Sequence, residues 1–485
     1  MDSYRPHLGI LSSNSRLSLS DAERLGWLEQ DPDRRSGCHG FTRPCGWAVV
    51  PMRIPVAERL ERIIGPLPGQ SEARVASLMT LAVGLVLCGL SLYLGFHGKT
   101  FMGRPLGNDF VQFYAAGQVL NQHQPALIYD TPYFVRLEHE ALPAMAPADM
   151  LPFAYPPVVA QLFRPLALLT YRWAFCAWLA FSLGLYASGV WLLFRDRLCA
   201  SYRRTAFLLS LSAPAFMLET WMGGQLSVIT FFVVVLFVHC FENRWLVLAG
   251  LALGLASYKP SLIALPAAVM ILGGCWRMFA GLCGSTALMV LASIATAGIN
   301  GFWLWILRLR AFGSLATSDA AILARTKYVD LNSFFAILLG GNFIARVIAA
   351  VAISAAFAIL AWTWWRSRRQ QLHEVQRCLW AATLTWTLMI NIYVAVYDAI
   401  LLVPAAALVA RSLVGRGKQE QSELQVWLMV LWLASWFTQP CANYLKVQIL
   451  TVVLAGFGYW ALTLTRADSA PRLVAPRQSE AADAA

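Results

Sequence analysis

Residues 76–96 run without a single charged side chain. As a helix that stretch alone is long enough to cross a hydrocarbon layer of about 30 Å. Similar apolar runs recur at 173–194, 206–221, 226–241, 245–257, 261–274 and 278–298. Five more follow at 344–365, 378–394, 397–413, 424–437 and 445–463. A chain with this pattern is expected to be an all-α polytopic transmembrane bundle of about twelve spans. Several runs are short for a full crossing and are expected to tilt, to borrow from their flanks or to be broken. Around Tyr258-Lys259-Pro260 a proline interrupts the helix and a lysine is costly in lipid. Two short spans or one kinked segment with a re-entrant end would each fit there.

Composition supports lipid as the solvent. Of 485 residues 58% are hydrophobic and 13% charged, against about 25% charged in an ordinary soluble domain. Too few ionisable groups remain to cover a water-facing surface. The formal charge of +12 does not point to nucleic acid, because the basic residues sit in short clusters between apolar runs, where they set membrane orientation. Cys88, Cys176, Cys240, Cys275, Cys283 and Cys378 lie in or beside apolar runs and read as small hydrophobes. Cys38 and Cys45 flank His39, but no second cysteine pair completes a metal site.

The basic connections RDRLCASYRR (195–204), WWRSRRQQ (364–371) and RSLVGRGKQ (411–419) are expected to face the cytoplasm. Alternating the spans from there leaves both termini inside and puts two long loops, 97–172 and 299–343, outside. The second loop carries Arg308, Arg310, Arg325 and Lys327, but long loops obey the charge rule weakly. Residues 1–75 are Arg-, Pro- and Gly-rich and are expected to form a poorly ordered cytoplasmic extension, with Met52 a conceivable alternative start. The membrane domain then covers 76–465 and a cytoplasmic tail 466–485.

Polar residues gather where spans emerge outside. The first loop holds GNDFVQFYAAGQVL (107–120), with Asn108 and Asp109 just before a short helical stretch. Asp109 suits an N-cap that accepts backbone N–H groups. It equally suits a general base, which needs only hydrogen-bond reach and a suitable pKa. In LIYDTPYF (127–134), Asp130 reads as a turn residue. AYPPVVAQLFRPLALL (154–169), which contains Tyr155 and Arg164, fits a helix in the membrane interface or the start of the next span. ETWMGGQ (219–225) places Glu219 and Gln225 around a glycine pair. Lys259 reads as a snorkelling side chain or as a point-charge phosphate ligand. NIYVAVYDAILL (391–402) brings Asn391, Tyr393, Tyr397 and Asp398 to one turn.

Taken as an ordered series, these pieces resemble the family 87 glycosyltransferases, a group of polyprenyl-phosphate-mannose-dependent mannosyltransferases and their bacterial relatives. The resemblance runs over roughly 78–464 and includes GGQLSVITFF, LAGLALGLASYKPSLIALP, LNSFFAILLGG and YDAILLVP. It implies a GT-C bundle in a bacterial plasma membrane. It also implies inverting, metal- and cofactor-independent transfer of a hexose, such as mannose, from a polyprenyl-phosphate donor to a glycan or glycolipid hydroxyl on the non-cytoplasmic face. The family's acidic residue in the first outer loop matches Asp109, and its Lys-Pro element matches Lys259. Gln225 and Asn332 match recurring polar positions. A late outer histidine of the characterised mannosyltransferases is missing, and Tyr397 and Asp398 stand in that region.

The principal rival is a transporter or flippase for a lipid-linked or small solute, which would share the spans and the buried polar groups. A transporter is expected to hold its polar residues near mid-membrane with access to both faces, whereas here they collect at one set of span ends. A non-catalytic scaffold is a third reading, and it makes Asp109 dispensable.

Overall fold

The structure, a computed structural model, describes residues 70–467 apart from 101–102, 108, 147–149, 196–199, 319–324, 370–371, 393, 415 and 417. Nearly all of the expected N-terminal extension and the tail lie outside these residues, as do Asn108 and Tyr393. The described chain is helical with no strand.

α1 (Gln70–Phe96) leads into a first connecting region that is itself largely helical: α2 (Phe110–Asn121), α3 (Thr131–Ala141) and α4 (Pro157–Phe163). α5 (Tyr171–Phe194) and α6 (Ala200–Leu211) follow. The run read as one span at 206–221 is broken: after Pro214 the chain forms a π-helical turn, Ala215–Trp221. α7 (Ser227–Glu242) and α8 (Leu246–Gly254) come next. A 3-10 turn, Leu255–Tyr258, then joins α8 to α9 (Pro260–Leu272) through Lys259. Proline at the first position of α9 and the non-helical backbone of Lys259 (φ −116°, ψ 80°) make this a true break.

α10 (Trp276–Ser318) departs from the sequence reading. A span ending at residue 298 followed directly by loop is not what forms. Gly298 breaks the helix at φ 71°, and the chain resumes as helix to Ser318. Hydropathy marks where apolar character fades, whereas the helix continues because its later turns have partners. Trp305 donates to the Ala154 carbonyl at 3.2 Å, and Arg308 donates to the Tyr129 carbonyl at 2.6 Å and to Thr131 Oγ1 at 2.7 Å. The second connecting region is thereby docked on the first. α11 (Leu331–Leu339), α12 (Phe343–Ser367), α13 (His373–Met389), α14 (Leu402–Ser412), α15 (Lys418–Tyr444) and α16 (Ile449–Ala467) complete the bundle.

Among the described residues, four helices are long and apolar enough to cross a membrane: Ser71–Phe96, Tyr171–Phe194, Trp276–Ala311 and Phe343–Ser367. Shorter apolar helices span Ser227–Glu242, Leu246–Tyr258, Pro260–Leu272 and Ile449–Thr465. α1 and α12 expose large apolar side chains such as Met79, Val86, Val351 and Trp362. In water that exposure would be costly and sticky; against lipid tails it is neutral. α13 is the opposite case, buried from Cys378 to Met389, with Trp380 fully enclosed and Trp364 of α12 donating to its Thr383 at 2.9 Å. Against α10, α8 uses small residues. A Cβ at Gly250 would lie 1.8 Å from the Met278 carbonyl oxygen, and one at Gly281 would lie 2.2 Å from that of Val247. Such backbone contact is how helices associate when lipid offers no hydrophobic drive.

The bundle has two chemically distinct ends. α7 starts at Ser227 and finishes at Glu242, where Arg377 grips the carboxylate at 2.8 and 2.9 Å and Arg411 of α14 lies close by. The start of α7, the α8–α9 break and the turn before α14 all lie at the other end, and the carboxylates, amides and phenols singled out above collect there.

Candidate active site

The site begins with α2 and the question of what Asp109 does. It stands at the N-cap position of α2, yet its side chain accepts no capping hydrogen bond from that helix. Its own backbone N–H donates to the Gly223 carbonyl at 3.3 Å. Gly224 holds φ 71°, and a Cβ there would come within 2.6 Å of Phe110 Cβ. The glycine pair therefore lets the 223–225 turn press against the start of α2. That contact delivers Gln225, whose Nε2 donates to Asp109 Oδ2.

Gln225 is 3% exposed, and its Oε1 is buried without a hydrogen-bond partner. A native buried polar atom left this way calls for an explanation, such as a ligand hydroxyl. The Asp109 carboxyl is raised above the ordinary range, first by burial. The Gln225 hydrogen bond opposes the rise, as do the charges of Lys327 and Arg104, while Glu219 adds to it. A carboxylate raised in this way is a stronger base than an ordinary one, which favours taking the proton of a hydroxyl. Glu219 itself accepts from Gln439 at 2.8 Å.

A second polar group adjoins the first. Lys259 Nζ donates to Asp398 Oδ1 at 2.8 Å and to Ser227 Oγ at 2.9 Å, and Ser227 Oγ donates to the same carboxylate oxygen at 2.6 Å. The ammonium lies 4.8 Å from the centre of the Tyr397 ring. Asp398 and Tyr397 ride on the 3-10 turn Val396–Leu401 before α14. The two groups are tied through Thr220, whose Oγ1 donates to the Tyr397 carbonyl at 3.1 Å while its own carbonyl accepts from Gln225 N at 2.9 Å. Tyr155, Asp398, Asp109 and Tyr328 all lie within electrostatic range of the Tyr397 hydroxyl. Tyr155 forms an aromatic wall, with its ring 5.2 Å from Phe113 and 6.2 Å from Tyr258 between centroids.

So the structure brings Asp109, Gln225, Lys259, Tyr155, Tyr397 and Asp398 to one end of the bundle. Asn332 does not share these contacts. It is half-buried in the first turn of α11, beside Asp330, and none of the bonds that assemble the site involves it. Asn391 is structural, donating to the Ser261 carbonyl at 2.8 Å. Asp130, read as a turn residue, caps α3 through Tyr133 N at 2.9 Å. Arg164 is held by Asn121 Oδ1 at 3.2 Å.

Sequence reasoning missed Ser227, Asp330 and the relevance of Lys327. Asp330 accepts from Ser333 N at 2.8 Å, Ser333 Oγ at 3.0 Å and Val394 N at 3.1 Å, and burial pushes its carboxyl up to about 7. The Asp330-x-x-Ser333 spacing is a legible N-cap signal. The link to Val394 is not legible, because it joins residues far apart in sequence. It seats the second connecting region beside the Tyr397 turn, helped by Val329 N donating to the Val394 carbonyl at 2.8 Å and Thr451 Oγ1 donating to the Val329 carbonyl at 2.9 Å. Lys327 is carried on that seated segment.

Residues 153–391 match the family model described as glycosyltransferase family 87. The matched segment is narrower than the stretch over which the motifs resemble that family. No curated protein and no solved structure matches. Tyr155, Gln225, Ser227 and Lys259 fall inside the matched segment, whereas Asp109 and Asp398 fall outside it and are bonded to Gln225 and Lys259 respectively. Residues 153–391, just under half of the chain, thus form a glycosyltransferase family 87 domain, and that family implies a membrane glycosyltransferase.

Proposed function

We propose that the protein transfers a hexose, with mannose the leading candidate, from a polyprenyl-phosphate donor to an acceptor hydroxyl on a glycan or glycolipid at the non-cytoplasmic face of a bacterial plasma membrane. The observation that carries this reading is the state of Asp109. Its carboxylate stands at a helix start without capping that helix, under a buried amide whose oxygen lacks a partner.

In the reaction, an Asp109 oxygen takes the proton of the acceptor hydroxyl as the hydroxyl oxygen attacks the anomeric carbon. The bond from that carbon to the phosphate oxygen breaks, and the electron pair leaves with the polyprenyl phosphate. One displacement from the face opposite the leaving group inverts the anomeric configuration. The unpartnered Gln225 oxygen suits a donor hydroxyl of the sugar or the acceptor. Lys259 has three N–H donors and spends two on Ser227 and Asp398, so the third suits a phosphate oxygen. Asp398 offsets much of the lysine's charge. Lys327, whose field reaches Asp109, supplies further positive potential as the phosphate leaves. Metal independence belongs to this reading because these cations can carry the leaving-group charge. Asn332 is assigned to substrate binding on resemblance alone, and Asn108 likewise.

The reading includes a GT-C architecture of about twelve spans with both termini inside. The separation of Arg377 and Arg411 from Asp109 and Asp398 to opposite ends of α7 and α14 supports it, since basic ends face the cytoplasm. Purified protein in liposomes, offered a panel of polyprenyl-phosphate hexoses, is expected to transfer one of them, with Asp109→Asn inactive at unchanged yield and fold. Transfer retained by that variant would remove Asp109 as the base. Labelling of a cysteine at position 109 only from the cytoplasmic side would remove the proposed sidedness.

A further inference from the structure

Arg164 is a cation that the candidate active site does not use. It stands half-buried at the end of α4, and two neutral amides aim its guanidinium. Nε donates to Asn121 Oδ1 at 3.2 Å, and Nη1 donates to Gln161 Oε1 at 3.2 Å. Among the described residues no carboxylate lies within ion-pair reach of it. A guanidinium has five N–H groups, and these two bonds leave the rest unspent. Nη2, which has no protein acceptor among the described residues, is open to its surroundings. Charges withdrawn from water are ordinarily paired. A guanidinium held in this way calls for an anion from outside the chain.

The neighbours of Arg164 set its depth. Leu162, Leu168, Leu169 and Trp173 are exposed on either side of it in sequence, the pattern of a segment lying in a membrane interface. Gln161, which holds Nη1, has its own Nε2 3.4 Å from Thr296 Oγ1, two residues before Gly298 breaks α10. α1 ends at Phe96, and the Arg172 guanidinium lies 5.9 Å from that ring centre. Arg164 therefore stands where α1 and the first part of α10 end, which is the depth of lipid headgroups. The anion abundant at that depth is the phosphate of a phospholipid, and a guanidinium fork matches its oxygens. We infer that Arg164, aimed by Asn121 and Gln161, binds the phosphate of an anionic membrane phospholipid. A headgroup bearing an ammonium would bring a second cation to a place with no carboxylate in reach, so the anionic class fits better. The inference needs α1 and α10 to cross a membrane, and it does not depend on the sugar or its donor.

A headgroup bound there braces the first connecting region. Asn121, the last residue of α2, also donates from Nδ2 to the Arg164 carbonyl at 3.0 Å, and Tyr114 of α2 donates to the Leu169 carbonyl at 2.8 Å. A Cβ at Gly117 would lie 2.6 Å from the Phe163 carbonyl oxygen, so α2 and α4 meet backbone to backbone. A lipid on Arg164 is thus held against the helix that starts just after Asp109. Because the folded chain alone assembles Arg164, Asn121 and Gln161, binding stabilises the fold and can be read as a rise in melting temperature.

The test titrates the full-length protein in a neutral detergent with phosphatidylglycerol, phosphatidylcholine or inorganic phosphate and follows its melting temperature. Phosphatidylglycerol is expected to raise it saturably, phosphatidylcholine less and inorganic phosphate not at all. Arg164→Gln is expected to raise the half-saturating phosphatidylglycerol concentration by at least about tenfold, because the forked, charge-assisted contact is lost. Arg172→Gln removes an exposed neighbouring cation and is expected to change it by less than about twofold. Gln161→Leu keeps the charge of Arg164 but loosens its aim, and is expected to fall between the two. Equal weakening by Arg164→Gln and Arg172→Gln would mean diffuse attraction to an anionic surface. Protection undiminished in Arg164→Gln would remove the site, and equal protection by inorganic phosphate would mean a water-borne anion. Each of these outcomes overturns the inference. If Arg164→Gln does not purify folded, Gln161→Leu decides, and native-like protection in that variant overturns it. None of these readouts involves sugar transfer, so the inference and the proposed activity stand or fall separately.

Discussion

Asp109 and Asp330 occupy the same formal position, the residue before a helix in a long connecting region, and they are put to opposite uses. Asp330 is consumed by structure. Both its oxygens accept hydrogen bonds, from Ser333 and from Val394, and together they pin α11 to the turn before α14. Asp109 leaves its helix uncapped and instead meets Gln225 from a distant turn. Burial raises both carboxyls, Asp330 to about 7. Glu138, buried in α3 and accepting from Leu151 N at 3.2 Å, is raised to about 8. A raised pKa therefore does not by itself mark the base. What the carboxylate oxygens are bonded to does.

The sharpest way to break this comparison is to neutralise each aspartate. Asp109→Asn is expected to lower sugar transfer by about 10²–10⁴-fold, the usual span for a lost general base, with thermal stability in detergent nearly unchanged. Asp330→Asn is expected to do the reverse. It weakens three hydrogen bonds in a buried site, at about 1–3 kcal/mol for each group left unsatisfied, and it lowers the melting temperature. Activity then falls only as far as the folded fraction does. If Asp330→Asn were stable and inactive, the two roles would be misassigned.

A second contrast sets Lys259 as a partner for Asp398 against Lys259 as a contact for phosphate. The pair is buried, with side-chain exposures of 10% and 7%, so Lys259→Met alone strands a charge at a cost of about 3–5 kcal/mol. Loss of activity in that single variant would not separate the roles. The double variant Lys259→Met with Asp398→Leu removes both charges and is expected to recover stability. Donor use is expected to stay impaired, read as a raised KM for the lipid-phosphate sugar. Recovery of transfer along with stability would leave the lysine a purely structural partner.

The bond from Gln225 can be sharpened through pH. The base acts ionised, so transfer is expected to fall as pH drops through the Asp109 pKa. The Gln225 hydrogen bond and the Lys327 charge both lower that pKa. Gln225→Leu is therefore expected to move the acid limb of the kcat/KM profile to higher pH. Lys327→Met should move it in the same direction by less. Glu219→Gln removes a charge that raises the pKa and is expected to move the limb to lower pH. Three shifts with the wrong signs would mean that the limb belongs to another group.

The sequence revealed that polar residues collect at one set of span ends, that the bundle is helical and that the chain breaks at Lys259. Each of these is written locally, in hydropathy, in a proline or in a short polar island. The uncapped state of Asp109 was not legible, because N-D-F reads as a cap and only the docking of Gly224 on Phe110 shows where the carboxylate goes. Ser227 was invisible for a similar reason. A serine at the start of an apolar helix has no signature of its own, and its partners lie 32 and 171 residues away. The extension of α10 past Gly298 escaped because hydropathy records solvent preference and not hydrogen-bond continuity. Sequence pattern identified the polar residues that converge, whereas tertiary contact decided which of them are spent on structure.

Asp130 offers the smallest test and completes the series. It caps α3 through Tyr133 N at 2.9 Å and is solvent-exposed. Its carboxylate therefore does openly what the sequence allowed Asp109 to do. Asp130→Ala is expected to cost about 1 kcal/mol of stability, as other lost N-caps do, and to leave kcat and KM for the donor unchanged. Asp130 belongs to the region that Arg308 fastens to α10 through Tyr129 and Thr131, so a loosened α3 still has that anchor. A clear loss of transfer in Asp130→Ala would mean that α3 takes part in closing the site. The division between capping and catalytic aspartates would then have to be redrawn around the whole first connecting region, not around Asp109 alone.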